Sequence, residues 1–186
     1  AAHLPPGATE IAIRMPLSSN RFPVESVYDR AADEISGHLA NGRDVAILCE
    51  GDPFFYGSFM YLFARLAEHW PVDVVPGVSS LTACAAVSGK PLAALNDVLT
   101  VLPATLPDDV LRERLAVTDA AAIIKVGRHL PRVRAVLDDL GLAGHAEYIE
   151  HATMADEKHS PLSELEDAKA PYFSMILVHH RGAAWA

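Results

Sequence analysis

A two-lobed α/β fold is the architecture this sequence predicts, and three observations carry it. Short apolar runs alternate with stretches of helical periodicity along the chain. Two turns, GDPFFYG and PGVSS, each leave an apolar run and lead into a helix. The texture changes once, between Lys90 and Asp97, where Pro91 and several short side chains precede a new apolar run. Strands and helices in alternation make sheets flanked by helices, and the break predicts lobes at residues 1–94 and 95–186.

The first lobe opens with a strand predicted over Glu10 to Met15. Val27, Ala31, Ile35 and Leu39 then recur every four residues, which stacks them on one helical stripe, and Asn41-Gly42 supplies a left-handed stop. Val45 to Cys49 is an unbroken apolar run, the pattern of a strand covered on both faces in a parallel sheet. After GDPFFYG, the residues Phe59, Leu62, Phe63 and Leu66 stand at i, i+3, i+4 and i+7, so those aromatics belong to a core-facing stripe. Val72 to Val75 predicts a further strand, and Pro76-Gly77 turns it into a small-residue helix starting near Ser79. Both turns leave the carboxyl end of a strand, where open α/β sheets collect their ligands, and they are expected to rim one crevice.

The second lobe continues the alternation. Strands are predicted at Val98 to Leu102, Ala121 to Val126, His145 to Glu150 and Tyr172 to His179. Helices fall at Asp108 to Ala116 and on the stripe Val133, Val136, Leu137 and Leu140, which Gly141 ends.

Composition limits the function. Fifteen basic residues against 24 acidic give a net charge of −9 with no Lys/Arg tract, so the chain is expected to bind no nucleic acid. No apolar run reaches the ~20 residues of a membrane span, and no membrane partner is expected. Cys49 and Cys84 sit in apolar surroundings without metal or redox spacing and read as free, buried thiols, which fits a cytoplasmic protein. The nine histidines include His151, His159, His179 and His180, but none share a helical face at ligand spacing, so no metal site is expected. His179 and His180, adjacent in a strand, must point to opposite sides.

Known phosphate and nucleophile motifs are also missing. No G-x-G-x-x-G occurs, VSGKP lacks the rest of a P-loop, and Ser58 and Ser79 lack the second glycine of a nucleophile elbow. What remains is an acid in a tight turn and helix starts facing a crevice, without an acid/base pair. Such a site suits a cofactor that brings its own reactive group, a sulfonium methyl donor for example.

Taken together, EGDPFFYGS, VPGVSS, KVGRHL and PYFSMIL resemble the tetrapyrrole methyltransferase family over nearly the whole chain. The resemblance implies a two-lobed α/β enzyme, a homodimer, that binds S-adenosylmethionine between the lobes and a tetrapyrrole in an adjoining trough, releasing S-adenosylhomocysteine. FFYGSFMYLF and PYFSMIL point within the family to methylation of precorrin-2 at C20, giving precorrin-3A. The alternatives are the same reaction on cobalt-factor II and a non-catalytic cofactor-binding or interaction module.

Carried over residue by residue, the resemblance puts Gly51, Asp52 and Phe55 against the cofactor, with Ser79 and Ser80 at the second turn. Val126 matches a position beside the adenosyl group, and Ala152 and Tyr172 match its other contacts. On its own chemistry Asp52 also suits an Asx turn or a helix N-cap. Tyr56, Glu150 and His151 are the candidate proton acceptors, and Arg14, Arg21 and Arg128 the candidate partners of substrate carboxylates. Family members open with a strand and a G-x-G-P-G-D-P loop; nothing like it occurs before Glu10, so the first lobe is expected to be incomplete at its start.

Overall fold

The computed structural model describes residues 7–14, 21–166 and 169–184. Its contacts divide the chain into two compact units, Ala1–Gly77 and Val78–Ala186. A helix that starts at Ser80 packs on strands of the second unit, so the units part earlier than the change of texture near Lys90. The lobe division between residues 94 and 95 is kept as a proposal.

In the first unit, helices α1 (Arg21–Ala40) and α2 (Phe59–Leu66) pack together. Ala31 and Ile35 are buried as the four-residue stripe requires, joined by Tyr28 and Ala32 from the next ridge and by Phe59, Leu62 and Leu66 of α2. The α1 stop is a Schellman motif: the Arg43 N–H bonds the His38 carbonyl (3.3 Å), the Gly42 N–H bonds the Leu39 carbonyl (2.9 Å), and Gly42 takes φ +71°. Arg65 of α2 reaches Asp29 of α1 (2.7 Å), and the Trp70 indole N–H donates to the Ser36 hydroxyl (3.1 Å).

The three strands expected in this unit form no ladder among the described residues, and Met15 lies outside those residues. Their side chains still alternate. Ile13, Val45, Ile47, Val72 and Val74 pack on the α1/α2 cluster, while Leu48 and Val75 stay 75% and 80% exposed. The run Val45 to Cys49 is therefore covered on one face only, which also corrects the expectation for Cys49: it is exposed, whereas Cys84 is buried. An apolar run shows that two faces could be covered; only a paired, packed neighbour on each side makes it a central strand.

The second unit is a five-stranded mixed sheet with helices. It comprises α3 (Ser80–Ser88), β1 (Leu99–Pro103), α4 (Asp108–Ala116), β2 (Ala120–Ile124), α5 (Leu130–Asp139), β3 (Ala146–Glu150), β4 (Lys158–Pro161) and β5 (Ser174–His179), in the strand order β1-β2-β5-β3-β4. β1 and β2 run parallel through α4, and the remaining pairs are antiparallel. Ala121, Ile123, Ile176, Val178, Ala146 and Tyr148 share one face in register and pack with Leu111, Leu115, Val133, Val136 and Leu137 of α4 and α5. Helix α3 packs on β3, β4 and β5, with Leu81 and Cys84 buried. Burial pushes the Cys84 thiol up to about 11, so it stays protonated and inert at neutral pH.

His179 and His180 do part company at the end of β5: His179 meets Asp97 (3.1 Å) and His180 the Leu115 carbonyl of α4 (2.8 Å). Asp97 also accepts the Ala94 N–H (2.8 Å) and pairs with Arg181 (2.9 Å). The Ala94 N–H first, then His179 and Arg181, hold its carboxyl down at about 2. A depressed carboxylate stabilises the fold above its unfolded value of ~3.9 and loses that contribution as pH falls toward the folded value. In urea titrations, wild type is expected to exceed Asp97→Asn in stability at neutral pH, with the gap narrowing as pH falls from about 4 to about 2. A gap of constant size across that window rules out this linkage.

Candidate functional site

In the first unit the site residues are built around one carboxylate. Gly51 takes φ +70°, which turns the chain out of its extended segment. Asp52 Oδ1 then accepts the Phe54 N–H (2.9 Å), an Asx turn, and Oδ2 accepts the Gly77 N–H (3.0 Å) from 25 residues downstream. The Gly77 N–H first, then that of Phe54, holds the Asp52 carboxyl below its ordinary value against a smaller desolvation effect, so it remains an ionised acceptor. Gly77 lies so close that a Cβ there would stand 2.1 Å from the Gly51 carbonyl oxygen. Asp52 thus buckles the GDP turn to the PG turn, the structural alternative that its chemistry allowed.

The aromatics after the turn divide between anchoring and exposure. Phe54 stands edge-on to Phe63 (ring centroids 5.1 Å apart) and near Phe59 (5.8 Å), which roots the loop on α2. Phe55 is half-buried and edge-on to Tyr56 (5.1 Å). Tyr56 is 51% exposed and takes φ +55°, a backbone state a bulky residue seldom adopts. Arg14 is exposed, and Arg21 begins α1.

In the second unit, Ser79 precedes α3 with extended backbone (φ −71°, ψ 154°), and its carbonyl accepts the Ala83 N–H (3.0 Å) and the Thr82 hydroxyl (3.1 Å). The Ser79 side chain makes no capping bond, and Ser80 is exposed.

The remaining candidates come from three separate stretches, and the sheet gathers them at one end. β2 and β3 run antiparallel to β5, so the residues after β2, those after β3 and those before β5 meet. The His151 N–H bonds the Phe173 carbonyl (2.9 Å), the Gly127 N–H reaches the Ser174 hydroxyl (3.4 Å), and that hydroxyl donates to the Pro171 carbonyl (2.7 Å). Lys125 (φ +58°), His151 (φ +48°) and Thr153 (φ +66°) are left-handed without being glycine, a concentration of local strain typical of functional turns. No sequence signal announces those conformations. Val126 is in this group but is fully buried in the core, backbone and side chain alike. Ala152 is half-buried, and Tyr172 is 74% exposed and edge-on to Phe173 (5.1 Å). Arg128 is exposed beside this end.

Two of the candidate proton acceptors differ in what holds them. Burial alone raises the Glu150 carboxyl, but the Tyr148 hydroxyl (2.7 Å) and the Lys158 ammonium (2.9 Å) outweigh it and leave the group below its ordinary value. Glu150 is an engaged anion. His151 Nδ1 instead meets Asp156 Oδ2 at 2.7 Å, a partner the sequence reading missed.

At this end the Tyr172 ring is exposed, Ala152 is half-buried, and the turns at Lys125, His151 and Thr153 are left-handed. No helix among the described residues is long and apolar enough to cross a membrane.

Comparison with known proteins gives a consistent result. The chain is 41% identical over 183 residues to the precorrin-2 C(20)-methyltransferase of Sinorhizobium sp, spanning 94% of this chain and 75% of that one. It is 30% identical to the cobalt-precorrin-2 C(20)-methyltransferase of Salmonella typhimurium, over 88% of this chain and 70% of that one. Among solved structures, uroporphyrin-III C-methyl transferase from Thermus thermophilus complexed with S-adenyl homocysteine shares the fold, with a TM-score of 0.58 at 24% identity over 81% of this chain and 72% of that one. Residues 2–166 match the model of the Tetrapyrrole (Corrin/Porphyrin) Methylases, and the chain belongs to that family.

Proposed function

We propose that the chain transfers a methyl group from S-adenosylmethionine to C20 of precorrin-2, forming precorrin-3A and S-adenosylhomocysteine in cobalamin biosynthesis. The observation that carries this reading is the 41% identity with a relative of that activity across 94% of the chain, against 30% with the relative named for the cobalt-loaded substrate. The bound cofactor supplies an electrophilic methyl group. We assign its contacts to Gly51, Asp52 and Phe55 in the first unit and to Ser79, Ser80, Val126, Ala152 and Tyr172 in the second. The family resemblance further supports a homodimer in the cytoplasm.

The chain's own work is positioning. Gly51 and the Asp52 buckle fix the first turn in place before any ligand arrives, so little ordering is left for binding to pay for. Holding acceptor carbon, methyl and sulfur in line can supply ~7 to 11 kcal/mol of the barrier.

Calorimetric titration with S-adenosylhomocysteine tests the cofactor half of this reading, and product analysis with precorrin-2 and its cobalt-loaded counterpart tests the rest. Saturable binding that weakens in Asp52→Ala, with methyl transfer faster on the metal-free substrate, is expected. Faster transfer on the cobalt-loaded substrate overturns the choice of acceptor, and no binding by the intact protein overturns the methyltransferase reading.

A further inference from the structure

We propose that His151 Nε2 is the base that accepts the C20 proton and that Asp156 is the positioning residue that sets the imidazole tautomer for it. The inference rests on the reaction proposed above and assigns the proton that this reaction releases. When the new carbon–carbon bond forms at C20, the electron pair of the breaking sulfur–methyl bond stays on sulfur. The C20–H proton passes to Nε2, its bonding pair returns to the macrocycle, and the imidazolium then loses the proton to solvent.

Geometry selects His151 from the three candidates. Glu150 is held as an anion by Tyr148 and Lys158, and a carboxylate so stabilised is a weak proton acceptor. Tyr56 carries a phenol, which must give up its own proton before it can accept another. His151 offers Nε2 as an acceptor when Nδ1 carries the single ring proton, and Asp156 Oδ2, 2.7 Å from Nδ1, is placed to accept a hydrogen bond from that proton. Among the described residues, Nε2 has no hydrogen-bond partner.

The surroundings hold the ring in this arrangement. The His151 backbone is tied to Phe173 (2.9 Å), its ring stands 6.3 Å from the Phe173 ring, and its carbonyl accepts the Met154 N–H (2.9 Å). Thr153 donates its N–H to Glu157 (2.6 Å), closing the loop that carries Asp156 back to the histidine. His151 also immediately precedes Ala152, one of the assigned cofactor contacts, at the strained end of the sheet.

The test uses the full chain labelled with 15N-histidine, together with steady-state methyl transfer to precorrin-2. Wild type is expected to show the His151 ring protonated at Nδ1. Asp156→Asn can present its amide N–H to Nδ1 and is expected to move the proton to Nε2, with kcat down about tenfold or more and KM little changed. Asp156→Ala is expected to give mixed tautomers and a smaller loss. His151→Gln is expected to lower kcat by about 10² to 10⁴ while binding S-adenosylhomocysteine as wild type does. A wild-type ring protonated at Nε2, or His151→Gln with wild-type kcat, overturns this assignment alone. A folded wild-type protein that transfers no methyl to precorrin-2 overturns the reaction and this assignment with it.

Discussion

Gly77→Ala is expected to lose about 1 to 3 kcal/mol of stability, or more, in urea denaturation, and to lose S-adenosylhomocysteine binding along with it. The expectation follows from one distance. A Cβ on residue 77 would lie 2.1 Å from the Gly51 carbonyl oxygen and 3.0 Å from its carbon. Both are backbone atoms, so no flexible side chain can swing aside, and the two turns must separate. Separation also breaks the Gly77 N–H bond to Asp52 and leaves that carboxylate with the Phe54 N–H of its own turn. Val78→Ala is the neighbouring control: Val78 is 72% exposed, and its truncation is expected to change stability by less than about 0.5 kcal/mol. Wild-type stability in Gly77→Ala would show that the turns do not approach as closely as the backbone indicates.

That prediction marks the limit of the sequence reading. GDP and PG are each legible as turns, because glycine, proline and aspartate have local conformational reasons to be there. Their junction is not legible, since it depends on a carboxylate meeting an N–H 25 residues away. The same distinction runs through the fold. Helix Asp108–Ala116 was bounded from the sequence alone, and β2, β3 and β5 were placed to within about two residues, because each carries its periodicity or apolar run internally. β4, Lys158–Pro161, escaped: KHSP is a polar edge strand paired only with β3, and its proline is tolerated for that reason. The apolar runs of the first unit differ in the opposite way, having no ladder among the described residues.

For the site, the resemblance named Val126, Ala152 and Tyr172 from three distant stretches, and the antiparallel placement of β5 between β2 and β3 brings their backbones to one end. It did not show that the Val126 side chain turns into the core, nor that His151 is paired with Asp156. Side-chain direction at a strand end depends on the φ of the next residue. Here those residues, Lys125 and His151, adopt a conformation that their identities disfavour.

The strand that makes this gathering possible is β5, and Ile176→Ala is expected to cost about 2 to 5 kcal/mol. Ile176 is fully buried and stands at the centre of the sheet, opposite Ile123 of β2 on one side and Tyr148 of β3 on the other. Truncation removes apolar contacts toward both neighbours and the helix layer, and the side chains around it, close-packed in the same cluster, can collapse into the cavity only in part. The consequence reaches function because β5 is also the alignment rod of the site. Phe173 and Ser174 at its start hold His151 and Gly127 by hydrogen bonds to backbone N–H groups. A weakened β5 should therefore lower the protection of the His151 and Gly127 amides in native-state hydrogen exchange, beyond the uniform change that global destabilisation alone produces. Equal loss of protection across the second unit would show instead that β5 supports the core as a whole and has no separate hold on the site. A stability change below about 1 kcal/mol would mean that the cavity closes freely, which the dense packing around Ile176 argues against.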